Sequence, residues 1–96
     1  MIHELKIEPE FFGAVASGIK TFEIRKDDRG FQEGDYLALN EYDHEEQKYT
    51  NRATLAKVAY MLKDPQYCKE GYATMGIRRC KVTTENEEMR GGQVLL

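Results

Sequence analysis

The residue types best suited to chemistry are concentrated in one short segment of this 96-residue chain, Gly18–Arg25. In a strand, alternate side chains share a face at a spacing of about 6.5–7 Å, so Thr21, Glu23 and Arg25 form a row. Lys20 stands at the strand entry, where alternation is weakest, and could turn to the same side. A carboxylate accepts from the exocyclic amine of a base, whereas Lys and Arg donate to phosphate oxygens. The row therefore suits a pocket for a base with its phosphate or sugar. On spacing alone, a solvated strand face with a weak Glu23–Arg25 ion pair is the simpler interpretation.

The elements around this segment must position it. Pro9 suits the first turn of a helix, because its missing N–H costs nothing there. The apolar residues that follow recur at helical spacing and form one stripe: Phe11, Phe12, Val15 and Ile19. The sequence therefore predicts a helix over Pro9–Ser17 that ends in a left-handed cap at Gly18. Alternating patterns predict five strands: Ile2–Ile7, Lys20–Arg25, Tyr36–Tyr42, Arg52–Leu62 and Gly71–Val82.

The connections between these elements decide the expected fold. Most of them are too short for crossover helices, which favours antiparallel pairing. A small, partly closed barrel with the helix packed against it would protect the strand edges. We therefore expect a mainly β, α+β domain over residues 1–83, with Phe31 as a core anchor between two turns. Residues 84–96 are polar and glycine-rich and are expected to form a flexible tail.

Composition excludes several classes of protein. Fourteen Lys and Arg residues stand against seventeen Asp and Glu residues, a net charge of −3, which argues against nonspecific duplex binding. The charge is uneven, because residues 31–50 have one base and six acids (−5), whereas residues 51–96 have eight bases and five acids (+3). Any nucleic acid would therefore bind at a local pocket. With two Cys and two His, neither a metal site nor a cofactor is expected. No apolar run suits a membrane span or a secretory signal, so we expect a cytoplasmic protein.

A known family shares the central motif. Gly18-x-Lys20-x-x-Glu23-x-Arg25 after a short helix, followed by Phe31 and Gly34-Asp35, resembles the ASCH (activating signal cointegrator homology) domain of the PUA-like superfamily. His3-Glu4-Leu5-Lys6-Ile7 and Gly71-Tyr72 are similar to a small stand-alone bacterial and phage branch of unknown function. The resemblance covers roughly residues 2–82. It implies a PUA-like β-barrel of about five antiparallel strands, with a cleft between helix and barrel that binds RNA or a nucleotide.

The resemblance also implies which residues line that cleft. Lys20, Glu23 and Arg25 would do so, and His3 and Lys6 would approach from the first strand. Two further candidates come from the residues themselves. Arg29 follows the motif strand and suits either a phosphate contact or a solvated turn. Tyr72 next to Gly71 suits base stacking, although most of the six tyrosines are expected to be structural.

Three hypotheses follow for function. The first is a non-catalytic module that binds RNA or a nucleotide. The second is a small hydrolase of an N-acylated nucleoside, because one relative of the family deacetylates acetylated cytidine with a Lys that matches Lys20 and a Thr nucleophile at the position of Glu23. Here the catalytic candidates would be Lys20, Thr21 and Glu23, with Thr21 as a shifted nucleophile. The third is a protein-interaction module that uses the acidic Glu41–Glu46 region against a basic partner.

Overall fold

A computed structural model describes residues 1–84 of the chain, which form five β-strands and one α-helix. The elements in chain order are β1 (Ile2–Ile7), α1 (Pro9–Ala16), β2 (Phe22–Lys26), β3 (Tyr36–Asp43), β4 (Lys48–Leu62) and β5 (Tyr72–Thr84). A mainly β fold with one short helix near the N-terminus is thereby confirmed. The tail expected from residue 84 lies, apart from Thr84 itself, outside the described residues.

The five strands form one sheet in the order β1-β3-β4-β5-β2, curled into a half-barrel. The pairs β3–β4, β4–β5 and β5–β2 are antiparallel, as expected from the short connections. The pair β1–β3 is parallel, with His3 opposite Leu37 and Leu5 opposite Leu39. This difference from the expected pairing has a physical reason: the chain between β1 and β3 contains α1 and β2, and is long enough for a crossover connection.

Helix α1 packs across the concave side of the sheet, against β3, β4 and β5. Phe12 and Val15 are almost fully buried, but Phe11 is 43% exposed and Ile19 is 81% exposed. The predicted stripe is therefore only half in the core. Phe11 lies about 100° around the helix axis from Phe12, and Ile19 lies beyond the helix end at Ala16, where helical spacing no longer applies.

The core lies between α1 and the sheet, and Phe31 belongs to it as predicted. Its buried members are Leu5, Ile7, Phe12, Val15, Phe31, Leu37, Leu39, Ala56, Val58, Ala73, Met75 and Ile77. A register shift between Val58 and Tyr60 reverses the alternation of β4. As a result Met61 packs against the core, and Tyr60 is 66% exposed. The bulge thus explains why simple alternation along β4 fails after Val58.

A buried polar pair joins β1 to the start of β3. His3 Nε2 lies 2.8 Å from Asp35 Oδ2, and the His3 ring meets the Phe31 ring edge to face. Asp35 also accepts a hydrogen bond from the Gln32 backbone N–H. The hydrogen bond with His3, more than any other contact, holds the pKa of Asp35 below its ordinary value. Residues 1–84 contain no helix long and apolar enough to cross a membrane.

Candidate functional site

Strand β2 has an inverted pattern of burial, with polar side chains facing inward. Glu23 is only 4% exposed, whereas Phe22 is 47% and Ile24 54% exposed. Arg25 shares the inward face with Glu23 and is partly buried. Charged residues are rarely buried unless they are paired with an opposite charge. The burial of Glu23 therefore requires cationic side chains close to its carboxylate.

Lys20 and Arg25 supply these cationic side chains and contact the Glu23 carboxylate from both sides. Lys20 Nζ donates to Glu23 Oε1 at 2.6 Å, and Arg25 Nε donates to Glu23 Oε2 at 2.8 Å. Lys20 Nζ also donates to the backbone carbonyl of Phe22 at 2.6 Å and lies 4.6 Å from the Phe22 ring centre. Lys20 therefore does turn to the side of Glu23. We call Lys20, Glu23 and Arg25 the charged triad; it carries two positive charges and one negative charge.

The glycine after α1 brings Lys20 to this position. Gly18 has φ +84°, the left-handed conformation that favours glycine. The chain reverses there, so that the backbone N–H groups of Ile19 and Lys20 both donate to the carbonyl of Ala14. The predicted glycine cap is confirmed, and it starts β2 directly beside the end of the helix.

Two arginines connect the two edges of the half-barrel. Arg25 Nη2 donates to the Lys6 carbonyl at 2.7 Å, and Arg29 Nη1 donates to the Glu4 carbonyl at 2.9 Å. Both carbonyls belong to β1, whereas Arg25 lies on β2 and Arg29 in the turn that follows. The gap between the edge strands is therefore spanned by guanidinium groups, which leaves cationic side chains at this surface.

Two adjacent clefts open on either side of this bridge. The helix cleft, about 590 Å³, lies between α1, the end of β1 and β2, and contains the whole charged triad. The edge cleft, about 720 Å³, lies between β1, the arginine bridge and the β3–β4 hairpin. Lys6 and Arg25 line both. The structure thus brings five of the predicted residues together: Lys6, Lys20, Glu23, Arg25 and Arg29.

The edge cleft is strongly cationic for an acidic chain. Lys6, Arg25, Arg29 and Arg52 line it, against a single acidic residue, Glu4. Within the described part of the chain, neither Lys6 nor Arg29 has a carboxylate within 4 Å. The Lys6 ammonium instead lies 4.1 Å from the Tyr42 ring centre. These two cations are therefore available to an anionic ligand.

Arg52 is held differently, by a carboxylate inside the molecule. Its Nε and Nη2 donate to the two oxygens of Glu41 at 2.8 and 2.9 Å, and Thr50 Oγ1 donates to the same carboxylate. The Arg52 hydrogen bonds are the main reason that the pKa of Glu41 lies below its ordinary value. Because Glu41 is 2% exposed, it is not available to a basic protein partner. The expected acidic interaction surface over Glu41–Glu46 therefore loses its first residue.

Three predicted residues lie elsewhere. His3 is buried against Asp35 and Phe31 and lines neither cleft. Tyr72 pairs with Lys26 on the outer face of the sheet, and Lys69 lies over its ring. Thr21 lines neither of the two clefts. It precedes β2 and lies next to residues of β5, on the other side of Lys20.

Four residues of the edge cleft were missed by sequence reasoning: Asn40, Tyr49, Asn51 and Arg52. Asn40 lies opposite Lys6 in the parallel β1–β3 ladder and opposite Ala53 in the β3–β4 ladder. The proximity of Asn40 to Lys6 follows from the parallel β1–β3 register, and it was missed because antiparallel pairing had been expected. Among residues 1–84, no group of three or more His, Cys, Asp or Glu side chains is arranged to hold a metal ion.

Two comparisons with known proteins bear on this site. Over 41 residues the chain is 44% identical to an uncharacterized 12.9 kDa protein of Escherichia phage P2. That match covers 43% of this chain, and the chain spans only 38% of the length of the phage protein. A family model described as a domain of unknown function, DUF3850, matches residues 2–77, a range that includes β1 to β4, the charged triad and the edge cleft. The chain belongs to the DUF3850 family.

Proposed function

We propose that this chain is a PUA-like module of the ASCH type that binds RNA or a nucleotide in the clefts on either side of Arg25. One observation carries the proposal: a chain with a net charge of −3 gathers four cationic side chains around a single cleft. Phosphate is the ligand group that such a cluster recognises best, since Lys and Arg make charge-assisted hydrogen bonds to its oxygens.

The lining of the edge cleft also suits the rest of a nucleotide. Lys6 and Arg29, which have no carboxylate partner in the described chain, would take the phosphate. The side-chain amides of Asn40 and Asn51 offer both donors and acceptors for a base edge. Tyr49 is 51% exposed at the same cleft and offers a ring for stacking.

The charged triad would act as a positioning device in this scheme. Both oxygens of Glu23 already accept from Lys20 and Arg25, so the carboxylate fixes the Arg25 guanidinium where it reaches β1. In this scheme the residues of the G-x-K-x-x-E-x-R motif share one role, which is to hold the Arg25 side chain at the wall between the two clefts.

A matched set of single variants tests the binding site. Lys6→Ala and Arg29→Ala each remove one cation from the edge cleft, whereas the control Lys26→Ala removes an exposed cation that lines neither cleft. We expect each cleft variant to weaken nucleotide binding about tenfold, equivalent to one charge-assisted hydrogen bond. The control should bind like the wild type. The measurement is an NMR titration with nucleoside monophosphates and short RNAs at two salt concentrations.

The outcomes of this titration test the nucleotide-binding proposal, and a turnover assay distinguishes it from the hydrolase hypothesis. Chemical-shift changes at residues of the edge cleft, lost in Lys6→Ala and Arg29→Ala, would support the proposal. Equal weakening in Lys26→Ala would show that net charge alone drives binding and would overturn it. In a separate assay with N-acetylcytidine as the substrate, turnover that depends on Lys20 and on Thr21 or Glu23 would support the hydrolase instead. A spectrum unchanged by every ligand would overturn the nucleotide-binding proposal.

A further inference from the structure

A third cleft lies at the far end of α1, where the helix meets β5. It has a volume of about 410 Å³ and is lined by Gly18, Lys20 and Thr21 on one side and by Arg78 and Arg79 on the other. Neither the resemblance nor the family match assigns it a role. We call it the β5 cleft.

The three clefts follow one another along β2. The edge cleft and the helix cleft share Lys6 and Arg25, and the helix cleft and the β5 cleft share Lys20. A ligand that leaves the edge cleft over Arg25 therefore passes the charged triad and reaches Arg78. Because the five residues of β2 are separated by four steps of about 3.3 Å, the strand alone accounts for about 13 Å of this path.

The far end of the path is cationic and accessible. Arg78 is exposed and lies opposite Lys57 in the β4–β5 ladder. Neither side chain has a carboxylate within 4 Å in the described part of the chain. Arg79 already makes one hydrogen bond within the protein, because its guanidinium donates to the Ala16 carbonyl at the end of the helix. The β5 cleft thus offers Arg78 as an anchor for a second phosphate.

The middle of the path offers aromatic surface. Phe11 and Phe22 both line the helix cleft and are 43% and 47% exposed. Cationic grooves with exposed aromatic rings bind single strands, because phosphates follow the cations and bases stack on the rings. Duplexes do not present unstacked bases in this way.

We propose that the three clefts together bind a single-stranded nucleic acid of several nucleotides, with one end in the edge cleft and the other at Arg78. The inference rests on the proposed function, and adds that a mononucleotide fills only part of the site. A nucleoside monophosphate is too short to contact both Arg29 and Arg78.

The test compares uridine monophosphate with hexauridylate in wild type, Arg78→Ala and the control Lys26→Ala, each over several salt concentrations. Arg78→Ala should fold normally, because no hydrogen bond of its side chain supports the described structure. For the wild type we expect hexauridylate to bind at least about tenfold tighter than the monophosphate. In Arg78→Ala the salt dependence of hexauridylate binding, log K against log salt, should become shallower by about 0.7, the loss of one phosphate contact.

Two results overturn the inference and leave the proposed function intact. One is hexauridylate that binds no tighter than the monophosphate. The other is Arg78→Ala with the affinity and salt slope of Lys26→Ala. If the wild type binds neither ligand even at low salt, both the inference and the proposed function fail. Weaker hexauridylate binding in Arg78→Ala with unchanged monophosphate binding is the result that we expect.

Discussion

Strand β1 buries Leu5 and Ile7 and exposes Lys6, whereas strand β2, at the opposite edge of the same sheet, buries Glu23 and exposes Ile24. The two strands have similar lengths and face each other across the open side of the half-barrel. On β1 the hydrophobic effect decides which face turns inward. On β2 the ion pairs of the Glu23 carboxylate with Lys20 and Arg25 decide the orientation instead, and the apolar side chain of Ile24 faces outward.

The difference shows that one fold can use its two edges for different tasks. β1 contributes side chains to the core, and its backbone carbonyls accept hydrogen bonds from the two bridging arginines, Arg25 and Arg29. β2 contributes no side chain to the core and instead supplies Arg25 to both clefts. Lys6 of β1 also lines both clefts, so the two strands differ in their core contribution and share the binding surface. Substitutions of the buried apolar residues of β1 should therefore mainly affect stability, whereas substitutions of the cleft cations Lys6 and Arg29 should mainly affect binding.

The largest expected effect is on stability. Ile7→Ala on β1 removes a side chain that is 3% exposed and should lower the free energy of unfolding by about 2–5 kcal/mol. The matched substitution on β2, Ile24→Ala, removes a side chain that is 54% exposed and should cost about 0.5 kcal/mol or less. Urea unfolding followed by circular dichroism measures both. Equal losses would show that β2 is packed as tightly as β1 and would contradict the comparison.

A smaller loss is expected from breaking the charged triad. Lys20→Ala leaves the buried Glu23 with Arg25 as its remaining cationic partner in the triad and should lower the free energy of unfolding by about 1–3 kcal/mol. Lys6→Ala, which removes a cation with no carboxylate partner in the described chain, is the control and should change stability little. Adding Glu23→Leu to Lys20→Ala should recover part of the loss, because no buried carboxylate then needs a partner. A stable Lys20→Ala protein would mean that Glu23 is reached by solvent.

How far the sequence predicted this arrangement depends on the range of the interactions involved. The helix, the glycine cap and the five strands were predicted, since they depend on local spacing and on single residues such as Pro9 and Gly18. The shared face of Glu23 and Arg25 was also predicted from alternation within one strand. Alternation alone would place Lys20 on the side of Phe22, and its grouping with Glu23 and Arg25 was expected from the family resemblance.

Features that depend on distant pairing were missed. Antiparallel pairing was expected throughout, so the parallel β1–β3 register, which places Asn40 beside Lys6, could not be used to find the edge cleft. The position of His3 was missed for a similar reason. Its partner Asp35 lies 32 residues away, and only the crossover through α1 and β2 brings the two together.

The smallest effect concerns this buried pair on the β1 side, and it is expected to depend on pH. The pKa of Asp35 is held below its ordinary value, 3.8, mainly by the hydrogen bond with His3. The ionised carboxylate therefore stabilises the fold above that pH, and the contribution is lost as the pH falls through the lowered pKa. Asp35→Asn should cost about 1 kcal/mol at pH 7.

The comparison of Asp35→Asn with the wild type at several pH values isolates this contribution. As the pH is lowered below 3.8 and through the lowered pKa of Asp35, the wild type protonates this carboxylate and the two free energies of unfolding should converge. Lys20→Ala, which breaks a buried ion pair at the other edge, leaves Asp35 in place and should keep the acid response of Asp35. If the difference between wild type and Asp35→Asn stays constant down to the lowest pH at which both fold, Asp35 acts through its shape and its neutral hydrogen bonds. The polar interior of the β1 edge would then differ from the charged triad in kind, because only β2 would depend on a buried charge.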